Sequence, residues 1–151
     1  MNKILLTILS VVLLAVAGCG GEESELDGKT LGLTLPNPTV SEEDAENKEV
    51  KFTPNTPVLD FESAGDITLT FNGTTYPGEY SLEESNLSIT VEDGDASMTI
   101  DFTEFEESDD EYFSYSGTVS DGELNEADET SQLTNVYKNF GLGEHYLFLE
   151  E

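Results

Sequence analysis

From Glu49 onward, for about seventy residues, apolar and polar side chains follow one another nearly one for one. A period of two puts successive side chains on opposite faces of an extended chain, so this stretch demands strands with one buried and one wet face. The clearest piece is "NLSITVEDGDASMTIDF", where Leu87, Ile89 and Val91 alternate with polar neighbours before Asp93-Gly94, and Ala96, Met98, Ile100 and Phe102 alternate after it. A two-residue turn at Asp93-Gly94 predicts the pairs Val91–Ala96, Ile89–Met98 and Leu87–Ile100, all on one face. Asn72-Gly73 predicts a second hairpin, with Phe71 opposite Thr74, Leu69 opposite Tyr76 and Ile67 opposite Gly78.

Further strands are expected in "EYFSYSGTVS", with Phe113, Tyr115 and Val119 on one side, and in the closing "HYLFLE", apolar on both sides. "EVKFT" and "PVLDF" are weaker candidates. Inside the domain only Leu133, Val136, Tyr137 and Phe140 carry helical spacing, followed by Gly141 as a stop. The expected fold is all-β, an antiparallel β-sandwich or partial barrel with one short helix near the C-terminus.

The N-terminus is of another kind. Met1, Asn2 and Lys3 make a short positive start, and Ile4 to Val16 is apolar except for Thr7 and Ser10. As a helix this run reaches roughly 20 Å, short of the ~30 Å hydrocarbon core, so it reads as a signal peptide rather than a span. The sequence Val16-Ala17-Gly18-Cys19 then resembles the lipobox of bacterial lipoproteins. That resemblance covers residues 1–19 only. It implies cleavage before Cys19, acyl chains on its thiol and amine, and an address in the bacterial cell envelope. Gly20 is not the aspartate that resembles an inner-membrane retention signal, and Glu22-Glu23 resembles the acidic export tags of some surface lipoproteins. Outer membrane or cell surface is therefore the expected location. With its one cysteine used for lipid, the chain has no partner for a disulfide.

This reading divides the chain into a signal peptide over 1–18, a lipidated acidic tether over 19–48 and a single β-rich domain over 49–151. Residues 20–30 hold four acids and one apolar side chain, Leu26, and are expected to stay unordered. Leu31, Leu33 and Leu35 alternate before Pro36 and suggest a short edge strand at 31–35.

Charge narrows the partners. The chain carries 33 acidic and five basic residues, for a formal net charge of −28. Such a surface repels nucleic acid and anionic headgroups, and its self-repulsion is relieved by salt.

The chemical inventory is thin. His145 stands alone, so neither a zinc site nor a Ser–His or Cys–His pair can be assembled convincingly from the sequence. Among 33 acids some pair falls at any separation a glycosidase needs, so proximity carries no information. Calcium is a sharper candidate, because it takes six to eight oxygen ligands. In a meander the loop "SDGE" returns to the end that holds "EDGD", which makes Asp93, Asp95, Asp121 and Glu123 the candidate ligands. Tyr76, Tyr80, Tyr112, Tyr115, Tyr137 and Tyr146 can supply an aromatic platform for sugars or proteins if three or more lie exposed in a row.

The expectation is a lipid-anchored acidic surface protein, a non-catalytic binding or structural envelope module held to the membrane by acyl chains. Its other partner is then an envelope protein or a glycan. A calcium-dependent or ligand-binding lipoprotein is the second reading, and a glycan-active enzyme the third.

Overall fold

The computed structural model describes residues 24–34, 55–110, 112–125 and 131–151. Eight antiparallel strands, each paired with the next, close into a barrel: β1 (Thr30–Leu33), β2 (Val58–Phe61), β3 (Asp66–Phe71), β4 (Thr74–Glu83), β5 (Asn86–Asp93), β6 (Ala96–Glu107), β7 (Tyr115–Asn125) and β8 (His145–Glu150). One short helix, α1 (Leu133–Tyr137), lies between β7 and β8. The all-β antiparallel fold with a C-terminal helix is as the alternation requires, and its form is a closed barrel.

Closure depends on β1. It pairs with β2 on one side (Leu31 opposite Leu59) and with β8 on the other (Leu33 opposite Phe148). The expected edge strand at 31–35 is therefore an interior member of the barrel, and pairing on both sides removes the exposed edge. Leu35 and "EVKFT" lie outside the described residues, while "PVLDF" supplies β2.

The Asn72-Gly73 hairpin has the expected register, Phe71 opposite Thr74 and Ile67 opposite Gly78. Both turn residues have positive φ, 52° and 77°, as a type I′ turn needs. The β5–β6 hairpin is displaced from expectation by two residues: Asp93 pairs with Ala96, Val91 with Met98 and Leu87 with Phe102. Here the loop is Gly94-Asp95, with positive φ only at Gly94 (64°), matching the turn that takes glycine first. A slip of two preserves the facing, so Leu87, Ile89, Val91, Ala96, Met98, Ile100 and Phe102 are all still buried.

Two irregularities in the β6–β7 ladder compensate each other. Glu104 and Phe105 together face Gly117, and Ser120 is the extra residue on β7 between Val119 and Asp121. Glu104 takes φ 53°, which swings Phe105 inward to stack on Tyr115 with 5.3 Å between ring centroids. Such bulges sharpen local twist and help a long strand wrap a barrel. They also carry β7 through "SDGE", which is strand and not the expected loop.

The interior is lined with apolar side chains, and every polar or charged residue among those described is at least partly exposed. Phe102 and Phe105 both meet Phe148 edge-on, at 5.6 and 5.3 Å. At one end Leu133, Val136 and Phe140, on and just after α1, close the barrel. Leu26 closes the other and is fully buried, which corrects, for residues 24–30, the expectation that 20–30 stay unordered; residues 20–23 lie outside the described residues. Burial of that one side chain is supported by backbone bonds from Gly28 N to Phe61 O and from Phe61 N to Lys29 O, at 2.7 and 2.9 Å. Of the tether expected over 19–48, residues 24–34 are thus part of the barrel, and the remainder lies outside the described residues.

Candidate functional site

The outward positions of the wall are mainly Thr, Ser, Asp and Glu, as in Thr68, Thr70, Ser88, Thr90, Thr99 and Asp101. A barrel that crosses a membrane needs an apolar band about 25 Å tall on this face. The described wall is patterned the opposite way, apolar in and polar out. No helix among the described residues is long and apolar enough to cross a membrane.

A recess of about 300 Å³ opens on this outer wall, lined by Asp66, Pro77, Gly78, Glu79, Thr90 and Glu92. It exists because β4 changes partners. Residues 74–79 pair with β3 and residues 78–83 with β5, so below Gly78 the strand leaves β5. Pro77 has no amide to offer a ladder, and Gly78 lies so close to β5 that a Cβ would meet Thr90 O at 1.9 Å. The crossing thus requires glycine for space.

Three exposed carboxylates, Asp66, Glu79 and Glu92, border the recess, with Asp66 directly opposite Glu79. Its lining contains no histidine, cysteine or basic side chain. Electrostatically it suits a cation better than an anion. Chemically it offers no nucleophile paired with a base.

The calcium candidates are distributed along the wall. Asp93 ends β5 and accepts from Gln132 N at 3.4 Å, while Asp95 is in the loop beyond it. Asp121 pairs with Asp101 and accepts from Gly122 N at 2.8 Å; Glu123 pairs with Thr99. Asp101 is five residues up β6 from Ala96, roughly 17 Å at strand rise, so Asp121 does not approach the Asp93–Asp95 turn. No group of three His, Cys, Asp or Glu side chains among the described residues is placed to hold a metal ion.

His145 is exposed at the head of β8, with Nδ1 3.1 Å from Thr118 Oγ1 across the β7–β8 pair. The tyrosines turn inward. Tyr76, Tyr80, Tyr115 and Tyr146 are buried, Tyr137 is half-buried, and only Tyr112 is exposed. The described residues therefore carry no row of exposed rings. Burial raises the phenol pKa of all four buried tyrosines.

A cluster at the Leu26 end was not legible in the sequence, because its members come from four separate segments. Tyr80 Oη donates to Asp27 Oδ1 at 2.5 Å, and Ser24 N donates to Asp27 Oδ2 at 3.1 Å. Lys29 Nζ bridges to Glu150 at 2.9 Å and lies 5.6 Å from the centre of the Tyr115 ring. The Glu150 hydrogen bond holds the Lys29 pKa above its ordinary value. These contacts fasten residues 24–29 to β4, β7 and β8.

Comparison with protein-family models, with curated proteins and with solved structures finds no match for this chain.

Proposed function

We propose that the protein is a lipid-anchored envelope protein whose acidic barrel is a non-catalytic binding or structural module. The observation that carries this reading is the coincidence of a positive start, a short apolar run and Val16-Ala17-Gly18-Cys19. Two or three acyl chains at ~0.8 kcal/mol per buried methylene hold a protein stably on a membrane, whereas one does not.

The barrel supports the reading from the other side. Ser24, the first of the described residues that fasten to the barrel, is only five residues after Cys19, so an acyl anchor there lies close to the domain in the chain. With polar and charged side chains of the described residues all at least partly exposed, polar recognition falls to the outer wall and the ends, where an envelope protein or a glycan is the expected partner. The polar wall needs no lipid of its own, which leaves membrane attachment to Cys19.

The test is detergent phase partitioning of the protein from a bacterial host, beside a Cys19→Ser variant. The proposal predicts wild type in the detergent phase and the variant in the aqueous phase or retained as precursor. Equal partitioning of two processed forms would contradict it.

A further inference from the structure

Resting on the lipid-anchor reading, the geometry points to a fixed polarity of the barrel on its membrane. We infer that the end sealed by Leu26 faces the lipid surface and the end sealed by α1 faces away.

The argument begins with chain length. Five residue steps separate Cys19 from Ser24, and a fully extended chain covers at most about 3.6 Å per step, so the tether reaches no farther than about 18 Å. Ser24 is not free to extend this reach. From Ser24 to Lys29 the chain is fastened to the barrel by the buried Leu26, by Asp27 against Tyr80, by Gly28 N on Phe61 O and by Lys29 on Glu150.

The barrel is taller than the tether is long. β6 runs for 12 residues, which at ~3.3 Å per residue and a tilt near 40° gives roughly 28 Å between its ends along the axis. That height excludes α1 and the turns at the far end. An inverted barrel, standing on the α1 end, would hold Ser24 beyond the reach of an acylated Cys19. The inverted pose is thus forbidden by covalent length, whatever the forces at the surface.

Those forces then set the spacing. Exposed Glu25, Glu62, Glu84, Asp109 and Asp110 ring the Leu26 end, where Lys29 is half-buried and already paired with Glu150. Anionic headgroups repel this rim and lift it toward the full reach of the tether, and salt lets it settle. The α1 end, with the Gly94-Asp95 loop and the exposed Leu142, is what a partner approaching from outside meets.

Energy transfer in vesicles tests the polarity. Acylated Cys19 has no free thiol, so Ser63→Cys at the Leu26 end and Asp95→Cys or Lys138→Cys at the α1 end each present a single reactive thiol; all three positions are exposed. The full-length lipidated protein is labelled with a donor, reconstituted into phosphatidylcholine vesicles that carry an acceptor lipid, and checked by mass for acyl chains. Given a height of roughly 28 Å, transfer from Ser63→Cys is expected to exceed that from both far-end variants about twofold or more. Acylated protein with equal or reversed transfer would overturn the polarity while leaving the anchor intact. Protein without acyl chains would overturn both.

Discussion

Tyr137 Oη donates to the carbonyl of Gly122 at 3.0 Å, and a Cβ on Gly122 would come within 3.0 Å of that same oxygen. The helix that seals one end of the barrel thus packs on β7 at a residue without a side chain, and a Cβ there would make the Tyr137 ring give by a few tenths of an ångström. Gly122→Val is expected to displace Tyr137 and destabilise the fold by about 1–3 kcal/mol. Tyr137→Phe removes only the hydrogen bond, for about 1 kcal/mol. Urea unfolding of both single variants and the double variant checks the relation, which requires the double cost to be less than the sum.

Leu26 is the one apolar side chain in the acidic stretch from Gly20 to Thr30, and it is fully buried. Leu26→Ala is expected to cost about 2–5 kcal/mol, as for other large-to-small changes in a core. Urea unfolding measures it. A cost near zero would mean that the chain before β1 is a passive tether after all.

Asp66 is directly opposite Glu79, and Asp101 directly opposite Asp121. Like charges at such positions destabilise a ladder, each by roughly 0.2–1 kcal/mol. Asp101→Asn is therefore expected to stabilise the barrel by that order in dilute buffer. The gain should shrink toward zero in 1 M NaCl, where the Debye length is ~3 Å, while the wild type becomes more stable. Thermal unfolding across a salt series reads both effects.

Alkali should unfold the protein through its interior. Burial raises the pKa of Tyr76, Tyr80, Tyr115 and Tyr146, and for Tyr80 and Tyr146 hydrogen bonds to the carboxylates of Asp27 and Glu144 raise it further. The folded state thus holds these protons more tightly than the unfolded chain, whose phenols titrate near pH ~10. Their contribution is complete below that pH and is lost as the pH rises through the folded values. Tyrosinate absorbance followed beside circular dichroism checks this: the buried phenols should ionise together with loss of structure. Ionisation of all four in an intact fold would contradict it.

How much of this was legible from residues alone follows the range of the interactions. The Asn72-Gly73 register needs only a turn that tolerates positive φ and a local alternation, and both are visible in ten consecutive residues. At Asp93-Gly94 the same logic preserved the facing and missed the register by two, because either side of glycine can begin the turn. The β1–β8 closure was not legible: Leu33 meets Phe148 across more than a hundred residues, and no local pattern reports such a pairing. The bulges at Glu104 and Ser120 break the period of two, so "SDGE" resembled a loop while remaining in the ladder. Of the candidate site residues, Asp93 and Asp95 are on one turn as expected. Asp121 and Glu123 are carried up the wall by that same continuation of β7.

The most direct test of the central claim is the intact mass of the protein extracted with detergent from the membranes of a bacterium that expresses it. A mature chain beginning at Cys19, heavier than its sequence by two or three acyl chains, is the predicted result. A chain that retains residues 1–18, or one cleaved elsewhere and free of lipid, would contradict the anchor and leave the acidic barrel to be explained without a membrane.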